Sequence, residues 1–186
     1  MRRLAGFLLV CLALASCQPD SQAKLTTYYD VDSLLNSQID LLTRNEYVPF
    51  KVAEVNQQQE RDTLDADSAS WAGELAPFRV LDLNKSNLLN AYEITKSKTG
   101  FTYRLKVGES QQGILEMTIE QFSNGNPVTI KADFEETNNL YSSEREYTLH
   151  MDGKGFLQFY RIDGRQKVAF GDWVDYNVEG HVGEKP

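Results

Sequence analysis

Cysteine is almost missing from this chain. Of 186 residues only two are Cys, Cys11 and Cys17, and both fall within the first seventeen. From residue 18 onward a disulfide framework, a cysteine nucleophile and a thiolate metal cluster are therefore excluded. Histidine is as scarce, with His150 and His181 alone. Positive charge is short: 19 Lys and Arg face 27 Asp and Glu, a formal net charge of -8. No basic stripe for phosphate backbones can be built from that balance, and nucleic acid is not expected as a partner. No apolar run reaches the roughly 20 residues that a membrane-spanning helix needs. What remains is ordinary globular material, 41% hydrophobic and 25% charged, of a length that suits one domain.

The first seventeen residues have a different character. Met1-Arg2-Arg3 is basic, and the 13 residues Leu4 to Ser16 form an apolar run ending in Leu14-Ala15-Ser16-Cys17. A basic start, a short apolar stretch and small residues form a secretory signal, and the Cys after them suits thioether lipidation. This segment resembles the lipobox of bacterial lipoproteins. The resemblance implies a signal peptide at 1–16, a lipidated Cys17 in a flexible tether at 17–27, and a single domain at 28–186. Loss of Arg2 and Arg3 would lower the net charge from -8 to -10. Two or three acyl chains on Cys17 would anchor such a chain firmly, at about 0.8 kcal/mol per buried CH₂. Residue 18 is Gln, not the Asp that the family's sorting rule links to the inner membrane. The expected location is thus the cell envelope, at the outer membrane, facing either the periplasm or the surface.

Within the body, Val31, Leu34, Leu35, Ile39, Leu41 and Leu42 fall mostly on one face of a helix capped by Asp30 or Asp32 and ending near Arg44. Pro49 opens an extended stretch with Phe50, Val52 and Val55. Gln57-Gln58-Gln59 reads as a turn into a second strand, Glu60 to Leu64. Asp67 caps a second helix over Ser68 to Leu81, with Pro77 kinking or ending it early. From Asn90 the pattern becomes short β runs between turn signals, the last a hairpin turn at Asp163-Gly164. The expected fold is α+β: N-terminal helices and a small β-hairpin, then a curved antiparallel meander of about seven strands. The segments Tyr29 to Leu35, Trp71 to Leu75 and Leu81 to Lys85 are similar to small uncharacterised lipoproteins of the Bacteroidetes type. A lipid anchor on a curved sheet also resembles, in shape alone, the half-barrels of outer-membrane lipoprotein receptors.

Chemistry is thinly represented. There is no G-x-S-x-G, and nothing places Ser142 or Ser143 beside either His. Asp65-x-Asp67 fails as a calcium loop, because Ala69, Ser70 and Ala76 stand where the ligands and the turn glycine belong. Asp172 and Asp175 read as a solvated strand face, as do Glu116 and Glu120. No catalytic residue, metal site or cofactor is expected. Aromatics crowd the last thirty residues: Phe156, Phe159, Tyr160, Phe170, Trp173 and Tyr176. Phe159 and Tyr160 are neighbours and point to opposite sheet faces. The expected function is therefore a membrane-anchored, non-enzymatic envelope lipoprotein with a scaffold or envelope-maintenance role and an envelope protein as partner. The alternative is a binding module whose late aromatics hold a lipid or another apolar ligand within the sheet.

Overall fold

A computed structural model of the chain describes residues 27–108 and 112–184. The signal segment, Cys17 and all of the tether before Thr27 lie outside the described residues. The elements are α1 (Val31–Arg44), β1 (Tyr47–Val55), β2 (Gln58–Thr63), α2 (Ser68–Leu75), a 3-10 turn (Ala76–Leu81) and then β3 (Tyr92–Lys96), β4 (Gly100–Leu105), β5 (Gly113–Gln121), β6 (Pro127–Thr137), β7 (Tyr141–Met151), β8 (Leu157–Val168) and β9 (Val174–Glu184).

The local chemistry explains most boundaries. Asp30 caps α1 by accepting the Ser33 N–H at 3.0 Å. Val31, Leu35, Ile39 and Leu42 give that helix its buried face. Asp67 caps α2 at 2.7 Å from the Ser70 N–H, and that hydrogen bond holds its carboxyl below the usual range. The second helix was expected to run to Leu81. It stops at Leu75, because Pro77 lacks the N–H an α-turn requires, and the chain continues as 3-10. The first hairpin turns on Asn56 and Gln57, both at positive φ, one residue earlier than the glutamine run suggested.

All strand pairs are antiparallel, and the sheet is open, with order β2-β1-β9-β8-β7-β6-β5-β4-β3. Among the described residues it has nine strands, not about seven. The small hairpin is not a separate unit, because β1 pairs with β9 along its whole length. A second correction concerns Asp163-Gly164. This pair is no turn but the middle of β8, which runs on to Val168. Gly164 is there because the Tyr176 ring lies on it: a Cβ would sit 2.4 Å from the ring.

One face of the sheet is covered by the helices. Tyr103, Met117, Ile119, Ile130, Tyr147, Leu149 and Tyr160 meet Leu35, Leu42, Trp71, Leu75, Phe78 and Leu81 in one buried cluster. Polar side chains fix the layers together. The Gln38 amide, on α1, donates to Gly155 O and accepts from Leu157 N–H, both at 2.8 Å. Trp71 Nε1–H donates to Tyr47 O at 2.9 Å. The Glu74 carboxylate accepts from Tyr160 Oη–H at 2.7 Å and from Lys51 Nζ at 2.9 Å. Asn84 exchanges hydrogen bonds with Tyr28 N–H and the Tyr28 carbonyl, and so clamps the start of the domain.

Two stability predictions follow from this packing. A Cβ on Gly180 would meet the Tyr160 ring at 1.8 Å, whereas one on Gly153 meets nothing within 4 Å. Gly180→Ala should therefore destabilise by about 1–3 kcal/mol, and Gly153→Ala should leave the urea midpoint close to wild type. Burial pushes the Tyr92 hydroxyl up to about 12, and burial with the adjacent Glu74 carboxylate pushes Tyr160 up as well. Folded tyrosines with raised pKa stabilise fully below the unfolded value of about 10, and that contribution is lost as pH rises through the folded values. Urea unfolding should accordingly show stability falling from about pH 10 upward, with a shallower fall in Tyr160→Phe. An unchanged slope in that variant would remove Tyr160 from the account.

Candidate functional site

The face that the helices leave open is polar, and the register arranges its charges in rows. One row crosses all nine strands: Glu93, Arg104, Glu116, Asp133, Glu146, Asp163, Asn177, Glu54 and Gln59. Four carboxylates, from Glu116 to Asp163, thus occupy consecutive strands, where directly opposed Cα atoms are about 4.5–5.5 Å apart. Like charges in that relation destabilise a sheet.

The row is only partly neutralised. Arg104 directs Nε and Nη2 to one oxygen of Glu116, at 2.8 and 2.6 Å. Arg161 lies 2.9 Å from Asp163 and 3.8 Å from Glu179, and Asn177 donates to Asp163 at 2.5 Å. One position along, Arg165 pairs with Glu144 at 2.6 Å. Asp133 and Glu146 face each other across β6 and β7, and among the described residues no Arg or Lys bridges either. A hollow of about 690 Å³ lies over these strands, lined among others by Glu116, Asp133, Glu144, Glu146, Asp163 and Asp175. Two smaller hollows continue it over Glu54, Asn177 and Glu179 toward β1 and β2. The arrangement can hold positive charge and hydrogen-bond donors across a broad surface. It does not gather an acid, a base and a nucleophile at one point. Among the described residues no three of His, Cys, Asp and Glu converge on a metal position.

The two histidines lie on this open face, on either side of Phe159 in the register. His150 shares a hydrogen bond with Thr129 Oγ1 at 3.2 Å. His181 meets Glu179 at 2.6 Å and packs against Phe159 with centroids 5.2 Å apart. Ser142 stands eight positions from His150 along one strand, about 26 Å away. Ser143 is buried on the opposite face, where its Oγ accepts from Arg145 Nε at 3.0 Å. Arg145 also donates to Tyr147 Oη at 3.2 Å and rests on the Phe134 ring. Asp65 and Asp67 precede α2, and Asp67 is spent on its cap.

The six late aromatics are not brought together. Tyr160 is buried in the core, and Phe156 packs edge-on against Tyr47 at 6.2 Å. Tyr176 covers Gly164 on the helix side. Phe159 is on the open face, Trp173 carries Arg165 and Lys167 against its ring, at 4.7 and 4.9 Å, and Phe170 is fully exposed. They form no common wall for an apolar ligand. The carboxylate row escaped the sequence reading, although alternating acids at 133 and 135 and at 144 and 146 were its signal. Alternation places acids on one face, but only the register sets them opposite one another.

If repulsion operates across the row, Asp133→Asn and Glu146→Gln should each raise the urea midpoint in about 20 mM salt, and the gain should shrink near 500 mM, where screening is short-ranged. No gain at low salt would mean that the row carries no strain. No protein-family model, curated protein or solved structure matches this chain.

Proposed function

We propose that the protein is a lipid-anchored, non-enzymatic module of the bacterial cell envelope that holds a positively charged partner against the open face of its sheet. The observation that carries the reading is the opposed pair Asp133 and Glu146, flanked by Glu116 and Asp163. Such a row weakens the sheet that bears it, so its use lies outside the fold. The lipobox at Leu14 to Cys17 supports the anchor. The helix-covered face is filled by side chains such as Trp71, Phe78 and Tyr147, each at most 1% exposed, which supports docking on the open face over enclosure of an apolar ligand.

Two measurements test the two halves of this reading. Cys17→Ser should move the protein from the membrane fraction to the soluble fraction of lysed cells, with processing checked by mass. Retention of that variant in membranes would refute the anchor. Crosslinking in intact envelopes should give a protein adduct that is lost when Asp133→Asn and Glu146→Gln are combined. An adduct unaffected by the pair would place the docking surface elsewhere.

A further inference from the structure

The two ends of the sheet differ in chemistry. At one end the turns between β3 and β4, β5 and β6, and β7 and β8 run through Ser97-Lys98-Thr99, Ser123 to Asn126, and Asp152 to Gly155. None of these presents a large exposed apolar side chain. The opposite end gathers six of the large apolar side chains that the fold leaves exposed: Val55, Val107, Leu140, Val168, Phe170 and Trp173. They come from four separate connections, β1–β2, β4–β5, β6–β7 and β8–β9. The last two project farthest, because β6 to β9 have 11 to 12 residues, against five and six in β3 and β4.

The projecting tip is built, not frayed. Ala169 N–H donates to Leu140 O at 2.7 Å, and Gly171 N–H donates to Val168 O at 2.9 Å. Asn138 Oδ1 accepts from the N–H groups of Leu140 and Tyr141 at 2.8 and 3.0 Å. Phe170 is held at φ +64 with its side chain wholly in solvent. A bulky residue is rare in the left-handed region, where Gly or Asn sits at lower cost. The chain thus accepts both backbone strain and an exposed ring at one position. Trp173, one-third exposed, carries the cations of Arg165 and Lys167 on its ring. An aromatic body with an attached cation suits the boundary between acyl chains and headgroups.

We infer that this end of the sheet dips into a zwitterionic bilayer surface, with Leu140 and Phe170 reaching the acyl region and Trp173 at headgroup level. The inference rests on the membrane reading above. Nine residues, 18–26, separate Cys17 from the first described residue, a reach of at most about 36 Å. An acylated Cys17 would keep the domain within that distance of the surface. Leu140, Val168 and Phe170 line one shallow hollow together with Asn138, Asn139 and Lys167, so the apolar tip is small and edged by polar groups. A small apolar tip with a polar edge suits the boundary between acyl chains and headgroups. Asp172 and Asp175 flank Trp173, which disfavours anionic lipid and leaves the zwitterionic surface as the occupant.

The test uses the full acylated protein reconstituted in phosphatidylcholine vesicles with lipids brominated near the top of the acyl chain. The chain has two Trp, and Trp71 is fully buried, so quenching reports Trp173. The expected result is loss of Trp173 emission, abolished when Leu140→Ser and Phe170→Ser are combined and absent in Trp173→Phe. Acylated, vesicle-bound protein with unquenched Trp173 would overturn the inference while leaving the anchor intact. An unmodified Cys17 by mass spectrometry would overturn the anchor alone if Trp173 were still quenched on added vesicles, and both readings if it were not. A photo-crosslinker at position 170 that captures protein, with Trp173 unquenched, would reassign the tip to a protein partner.

Discussion

A single buried carboxylate ties the helical layer to the sheet. Glu74 on α2 receives the Tyr160 hydroxyl from β8 and the Lys51 ammonium from β1. Those two strands are not neighbours, since β9 runs between them. Gly180 of β9 is the register partner of both Lys51 and Tyr160. With no side chain there, the Tyr160 ring lies across β9 toward Lys51, and both donors reach one acid. Removing one member of a buried ionic contact leaves the remainder unpaired in a poor solvent for charge, at a cost of about 3–5 kcal/mol. Helix, hairpin and the last two strands are therefore coupled through a side chain that is missing.

The two faces of the sheet answer to different demands. The covered face packs aromatic rings edge to face, as Phe78 does against Tyr147 and Tyr160, and Gln38, Trp71 and Glu74 are matched to partners there. The open face tolerates like charges at Asp133 and Glu146 that no Arg or Lys among the described residues bridges, and its far end tolerates a strained, exposed Phe170. Local rules of stability are followed on the first face and broken on the second. Such breaks concentrate where a surface is kept for something other than folding.

Much of the architecture was legible in the sequence, and the failures have physical causes. The caps at Asp30 and Asp67 and the effect of Pro77 are local chemistry, readable within a few residues. Alternation placed most strands from β3 to β7 within one or two residues. Asp163-Gly164 carries a strong turn signal, yet Gly164 is needed as floor for the Tyr176 ring, a contact twelve residues away. The true turn contains Phe170, which no turn rule favours. The place of the β1–β2 hairpin was hidden, because no short-range pattern tells β1 to pair with β9. For the same reason the carboxylate row was visible only as scattered alternating acids, and the late aromatics looked like a cluster because they are close in sequence and not in space.

The pairing of β1 with β9 also orders events in time. Tyr47 lies opposite Glu184, so the second element of the domain waits for its last. A chain emerging from its N-terminus cannot seat the first hairpin, nor complete the Glu74 contact, until the final strand is present. Contacts of such long range carry a large loop-closure cost and form slowly. The domain is thus committed to remaining incomplete until its whole length is available, so that any truncation of β9 leaves the first hairpin without its neighbour.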